Sequence, residues 1–224
     1  MSTLAPAAEL VTGMRMTREE FLAVWEELPD VKRAELIDGE VWVASPVRID
    51  HWQPEGFIGL WLGMFSLRTA GCQFGHNGTW EMLGSIPQPD VFLRIAPAYG
   101  GQSTDGKKFP LGAPELAVEI CVTSRDYDFG PKLHLYRRAG VREYITLETF
   151  RNRIVWRVLE EDRYREVAPD ENGVFRSERF PGLWLDSKAL IANDGAKLLA
   201  TLEQGLATPE HAAFVEKLAA GQRP

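Results

Sequence analysis

Apolar residues recur along this chain in two rhythms, every second position in some stretches and every third or fourth in others. The clearest alternation is Glu115 to Cys121. It sets Leu116, Val118 and Ile120 on one face, and Glu115, Ala117, Glu119 and Cys121 on the other. Upstream, Asp90-Val91-Phe92-Leu93 reads as a second strand, and Pro89, which cannot donate to a ladder, marks its start. Ala34 to Ile37 and Glu40 to Val43 flank Asp38-Gly39, the strongest short-range hairpin signal, and Glu35 falls on the side opposite Leu36. Thr79 to Leu83, Arg142 to Leu147, Arg153 to Glu160, Arg163 to Val167 and Val174 to Arg176 are further predicted strands, and Phe180 to Leu185 is expected to close the sheet edge.

The helical rhythm starts at Thr17, where Thr17-Arg18-Glu19-Glu20 is a capping-box signature ahead of Phe21, Val24, Trp25 and Leu28. Ser45-Pro46 breaks the hairpin's second strand. His51 to about Thr69 then predicts a long apolar-rich helix stopped by Gly71, with Pro54 tolerated only if the helix starts within a residue or two of it. Cys72 to Gly78 reads as an irregular link with a turn at His76-Asn77-Gly78. Ala96 to Pro114 reads as a long loop, of a length often tied to function. A helix is expected from Asp128, as its cap, to Gly140, burying Leu133, Leu135, Tyr136 and Ala139. Short helices follow from Ser187 and over Pro209 to Ala220, and residues 1–14 are expected to fray.

With 224 residues, 45% of them hydrophobic and including seven Trp and eleven Phe, the chain has material for one domain with an appended tail. Two cysteines make no disulfide framework, and Cys121 reads as a buried thiol in a reducing compartment. The start of the chain does not read as a leader, and no run approaches ~18 uninterrupted apolar residues, so a soluble cytoplasmic protein without membrane contact is expected. A net charge of −7 argues against broad, non-specific nucleic-acid binding. It does not argue against an enzyme that neutralises its own acidic cleft with metal.

Chemistry concentrates between Asp90 and Tyr136. A carboxylate such as Glu119 within an apolar strand is costly unless it is paired, coordinated or turned to solvent. Asp90 and Glu119 on neighbouring strands, with the backbone carbonyl of Ile120, offer the hard oxygens that Mg²⁺ takes, and Mn²⁺ can substitute. Such an ion acidifies a water and offsets charge on a phosphodiester under attack. Lys132 would add a point charge beside the phosphate or the water. Glu35 is a candidate further ligand, provided its strand is brought over Asp90. His51 either meets a phosphate, positions water, or caps and packs its helix. Tyr136 shares a helix flank with Lys132 and is expected to pack on the sheet with its hydroxyl reaching the cleft. His76 reads as a turn residue and His134 as exposed. No Cys or His spacing suggests structural zinc, and no glycine-rich fingerprint suggests a nucleotide site.

Glu35-Leu36-Ile37-Asp38-Gly39-Glu40, Ser45-Pro46, His51, Pro89-Asp90-Val91, Glu119, Asp128 with Lys132 and Tyr136, and Ala139-Gly140-Val141-Arg142-Glu143-Tyr144 together resemble the Uma2 family. These are restriction-endonuclease-like proteins of the PD-(D/E)xK nuclease superfamily. The resemblance covers about residues 17–192 and implies an α/β fold, a restriction-endonuclease-like core with a mixed central sheet flanked by helices. It gives a nuclease domain over 15–192 and a C-terminal helical tail over 193–224. It implies Mg²⁺-dependent cleavage of DNA, with Asp90 and Glu119 as metal carboxylates, Glu35 contributing, and a homodimer. The superfamily's lysine lies two positions after the strand glutamate, where this chain has Cys121; the resemblance places the lysine at Lys132 instead. The alternative is a catalytically inactive nuclease-fold protein acting as a dimeric interaction or DNA-binding module.

Overall fold

The computed structural model describes residues 9–44, 46, 48–122 and 124–221. The expected fraying over residues 1–8 and the break at Ser45 lie outside the described residues. Residues 9–14 do not splay away. Leu10 is buried, and Gly13 N donates to Val41 O at 2.9 Å while Val41 N donates to Met14 O at 2.9 Å.

Helix α1 (Arg18–Glu26) begins with both halves of the capping box formed between Thr17 and Glu20, worth about 1 kcal/mol. Strands β1 (Ala34–Ile37) and β2 (Glu40–Val43) pair antiparallel across Asp38 (φ 49°) and Gly39 (φ 79°). Two positive φ values in a two-residue loop match the twist of the flanking strands. Leu36 and Val41 pack on Phe21 and Ile86, so strand alternation turns Glu35 the other way.

The long helix α2 runs Ile49–Arg68 and therefore carries Pro54 in its second turn, further inside than the sequence suggested. The missing N–H of Pro54 deprives the Asp50 carbonyl of its usual partner. Burial of Ile58, Trp61, Leu62 and Phe65 against the sheet offsets that loss.

The central sheet has six strands in the order β3 (Cys72–His76), β4 (Val91–Ile95), β5 (Leu116–Cys121), β6 (Glu143–Glu148), β7 (Arg153–Glu160) and β8 (Arg163–Val167). Only β5 and β6 are parallel, joined through the short helix α3 (Arg125–Asp128) and α4 (Pro131–Ala139). The link expected at 72–78 is thus an edge strand. Its sequence hides this because Gly75 stands where any side chain would strike Phe92; an added Cβ would lie 2.5 Å from the ring. The strand expected at Thr79–Leu83 makes only isolated bridges, since β3 takes the place beside β4. The break between α3 and α4 also removes Asp128 as a cap: Gly130 precedes α4, and Asp128 is buried. The 96–114 loop packs on itself through Gln102, whose amide nitrogen reaches Ala113 O, Pro114 O and Gly140 O. None of its described residues lines the cavity that holds Asp90 and Glu119.

Strands β9 (Val174–Arg176) and β10 (Trp184–Asp186) form a separate two-stranded sheet instead of closing the central one. After α5 (Ser187–Ile191), helices α6 (Gly195–Leu206) and α7 (Pro209–Ala220) bury Leu198, Leu202, Leu206, Phe214 and Leu218 in the same core as α2 and the sheet. Gly205 touches the backbone there: an added Cβ would sit 2.2 Å from Gly182 O. Backbone cannot yield as a side chain can, so Gly205→Ala should cost about 1–3 kcal/mol of stability, read as a lowered urea midpoint. An unchanged midpoint would show that α6 is not seated so closely. Among the described residues no helix is long and apolar enough to cross a membrane.

Candidate active site

One face of the central sheet, bearing Val91, Leu93, Leu116, Val118 and Ile120, is covered by α2, against which α6 packs in turn; the other, bearing Ala117, is covered by α4 through Leu135 and Tyr136. Because β5 is buried on both faces, its one charged inner residue, Glu119, must find partners within the protein. Those partners come from one flank of α4. Lys132 Nζ and Tyr136 Oη, four residues apart, both donate to Glu119 Oε1 at 2.7 Å. All three residues are buried.

Asp90 lies one residue ahead of β4 and, by the register Val91↔Val118, faces Glu119 across the ladder. Its Oδ2 accepts the Ile120 N–H at 2.8 Å and its Oδ1 accepts Arg33 Nη2 at 2.7 Å. The first turn of α2 adds His51, with Nε2 3.3 Å from Asp90 Oδ2 and Nδ1 3.3 Å from Glu55 Oε2. Glu35, from β1, places Oε1 3.0 Å from Lys132 Nζ; it also accepts the Gln88 N–H and, at 3.1 Å, the Tyr127 hydroxyl. Asp90, Glu119, Lys132, Glu35 and His51 all line one cavity of ≈ 680 Å³. Tyr136 stands behind Glu119.

The electrostatics follow from burial and pairing. Burial favours the neutral form of Asp90, but the hydrogen bond and charge of His51, with Lys132 and the Ile120 N–H, overcome it and hold its carboxyl at about 2. Burial likewise opposes a charged His51, yet Asp90 and Glu55 lift it to about 9. Lys132 is disfavoured as an ammonium by burial and favoured by Glu119, Glu35, Asp128 and Asp90, and the carboxylates win: its proton affinity is raised. Burial pushes Asp128 up to about 6.

The sequence-predicted residues therefore converge, though not in the pairs expected. Glu119 pairs with Lys132, and Asp90 with Arg33 and His51. Among the described residues, the set of three whose ligand atoms all lie within 4.8 Å is His51, Glu55 and Asp90. Sequence reasoning missed Arg33, Glu55, Gln88 and Tyr127. Only Glu55 carried a signal, its spacing of four from His51 on one helix. His76, expected as a turn residue, ends β3 with Nδ1 3.5 Å from Glu55 Oε1, and His134 is exposed as expected.

A mixed sheet in which adjacent strands present two carboxylates beneath a helix-borne lysine has the architecture of a restriction-endonuclease-like core. The chain belongs to the Uma2 family, described as "Putative restriction endonuclease", whose pattern matches residues 18–188. It is similar in structure to a protein from Anabaena variabilis described as "a putative nuclease belonging to DUF820". The TM-score is 0.62 at 16% identity, over 79% of this chain and 98% of that one. At that identity the likeness establishes the shared fold. No curated protein matches the chain.

Proposed function

We propose that this protein is a Mg²⁺-dependent endonuclease that hydrolyses phosphodiester bonds of DNA. The observation that carries the reading is the position of the Lys132 ammonium, 2.7 Å from Glu119 and 3.0 Å from Glu35 in the cavity that Asp90 also lines. The donor set suits a hard divalent ion: Asp90 and Glu119 carboxylates, with the Ile120 backbone carbonyl as a further oxygen and Mn²⁺ as a substitute. Gln88, which also lines the cavity, has a buried Oε1 without a hydrogen-bond partner. When bound, the ion would acidify water and offset phosphate charge.

In the reaction a water oxygen bonds to phosphorus, the bond from phosphorus to the leaving sugar oxygen breaks, and that oxygen takes up a proton. Lys132 supplies fixed positive charge where negative charge grows, in a buried setting that strengthens it. Tyr136 holds Glu119 in orientation, and His51 with Arg33 does the same for Asp90. The reading includes a cytoplasmic homodimer, and the exposed Trp52, Leu60 and Leu67 along α2 support the dimer. Incubation with plasmid and single-stranded DNA tests the activity. Cleavage should require Mg²⁺ or Mn²⁺, stop with EDTA and return with excess metal; no cleavage of either DNA overturns the reading.

A second reading, an inactive nuclease fold serving as an interaction or DNA-binding module, is favoured by one observation. Arg33 on Asp90 and Lys132 on Glu119 already satisfy both carboxylates by ion pairing. DNA retention without cleavage would select it.

A further inference from the structure

Asp90, Glu119 and Lys132 are 5%, 2% and 3% exposed, so the reactive groups lie at the floor of the ≈ 680 Å³ cavity and not on the surface. A cavity of that size takes a ligand of nucleotide dimensions, since small-molecule sites run to roughly 300–1,000 Å³. Duplex DNA is stiff, with a persistence length of ~50 nm, and cannot dip a single phosphate to such a depth. A strand free of its complement can, and so can a nucleotide swung out of the stack.

The wall beside this floor is aromatic. Trp42 stands opposite Glu35 in the β1–β2 ladder, so both side chains turn to the same face of the hairpin. The Trp42 ring stacks on Tyr127 of α3, with centroids 4.1 Å apart and planes 27° from parallel. Lys132 Nζ lies 5.4 Å from the centre of the Tyr127 ring, which puts the aromatic pair within one nucleotide's reach of the ammonium. Both rings line the cavity and are half-buried, and Val43, Ala44, Pro46 and Val122 continue the apolar lining. A bare phosphate has no use for such a wall. A nucleobase does, because every base offers a π-face to an aromatic ring.

We infer that the cavity binds one unpaired nucleotide of a DNA strand, its base against Trp42 and Tyr127 and its phosphate beside Lys132, so that the substrate is unpaired DNA and not the intact duplex. The choice of DNA rests on the endonuclease reading; the demand for an unpaired strand rests on the shape and lining of the cavity. Among the described residues, the carboxylates lining the cavity outnumber Arg33, Arg48, Lys132 and a protonated His51, so the phosphate enters only with the divalent ion in place.

The test is binding of fluorescein-labelled oligonucleotides to the whole protein in Ca²⁺, a hard ion that the same oxygen ligands take, read by fluorescence anisotropy. An oligothymidylate of about twelve nucleotides should bind at least ~10-fold more tightly than the same strand paired with its complement, the difference reflecting the cost of unpairing. An abasic strand of equal length should bind roughly 5- to 100-fold more weakly than the oligothymidylate. Trp42→Leu should bind these two strands alike, whereas Trp42→Phe should keep most of the discrimination. Circular dichroism checks folding, and if Trp42→Leu does not fold, the wild type's ranking of the three probes decides. The inference is overturned by equal or tighter binding of the duplex or the abasic strand, by no binding of any probe, or by a folded Trp42→Leu that still tells the two strands apart. A protein that cuts duplex and single strand equally in Mg²⁺ keeps the endonuclease reading and loses this one. One that prefers the single strand but cuts neither keeps this inference and loses the endonuclease reading.

Discussion

Lys132→Ala is expected to lower stability by about 3–5 kcal/mol, the range for leaving a buried charge without its partner, and to abolish metal-dependent cleavage. The ammonium has three close neighbours to answer for: Glu119 Oε1 at 2.7 Å, Glu35 Oε1 at 3.0 Å and the Gln88 carbonyl at 3.5 Å. Without it, Glu119 keeps only the Tyr136 hydroxyl. In a domain of this size the loss corresponds to roughly 6–20 °C in Tm.

The pH dependence has a definite sign. Burial already raises the Glu119 carboxyl, and Lys132 is the group that opposes it. In the variant that opposition is gone, so the folded-state value climbs further above the unfolded one. A carboxyl with a raised folded value contributes stability that is full below its unfolded value and lost as pH rises through the folded one. The deficit of Lys132→Ala should therefore be smallest in mild acid and grow toward neutral and alkaline pH. Adding Glu119→Gln should recover much of the lost stability without restoring cleavage. A single variant as stable as wild type at pH 8, or one that still cuts DNA, would remove Lys132 from the centre of the site.

The residues legible in the sequence are those whose local chain states their role. Asp38-Gly39 announces a hairpin because both positions need positive φ, and the hairpin sets Glu35 opposite the apolar Leu36. Glu119 stands out because a carboxylate inside Leu-Ala-Val-Glu-Ile-Cys has to be matched somewhere. Lys132 and Tyr136 follow from one helical turn. What could not be read depends on contacts between distant segments. Arg33 belongs to Asp90 only because the hairpin folds over the end of β4, and Tyr127 meets Glu35 only because α3 ends early. The edge strand β3 is silent for a related reason: Gly75 is there to make room for Phe92, and a glycine looks like a turn until its neighbour is known. Pro54 misled in the opposite direction, since a local cost was outweighed by burial of the helix around it.

The last expectation separates chemistry from packing at the same residue. Glu119→Gln keeps the shape of the side chain and an oxygen able to accept from both Lys132 and Tyr136, while Lys132 retains Glu35 as its counter-charge. Stability should move by no more than about 1.5 kcal/mol, the scale of one altered hydrogen bond. Function should not survive the change, because an amide is a far weaker ligand for Mg²⁺ than a carboxylate and carries no charge to balance it. Mg²⁺-dependent cleavage is expected to fall ~100-fold or more, with the fall steepest at low Mg²⁺. Tyr136→Phe supplies the contrast: it removes one donor to Glu119, costs on the order of 1 kcal/mol, and leaves the carboxylate in place. If Glu119→Gln cleaves DNA as the wild type does while Tyr136→Phe is impaired, Glu119 is holding the helix against the sheet rather than an ion, and the endonuclease assignment fails at its central residue.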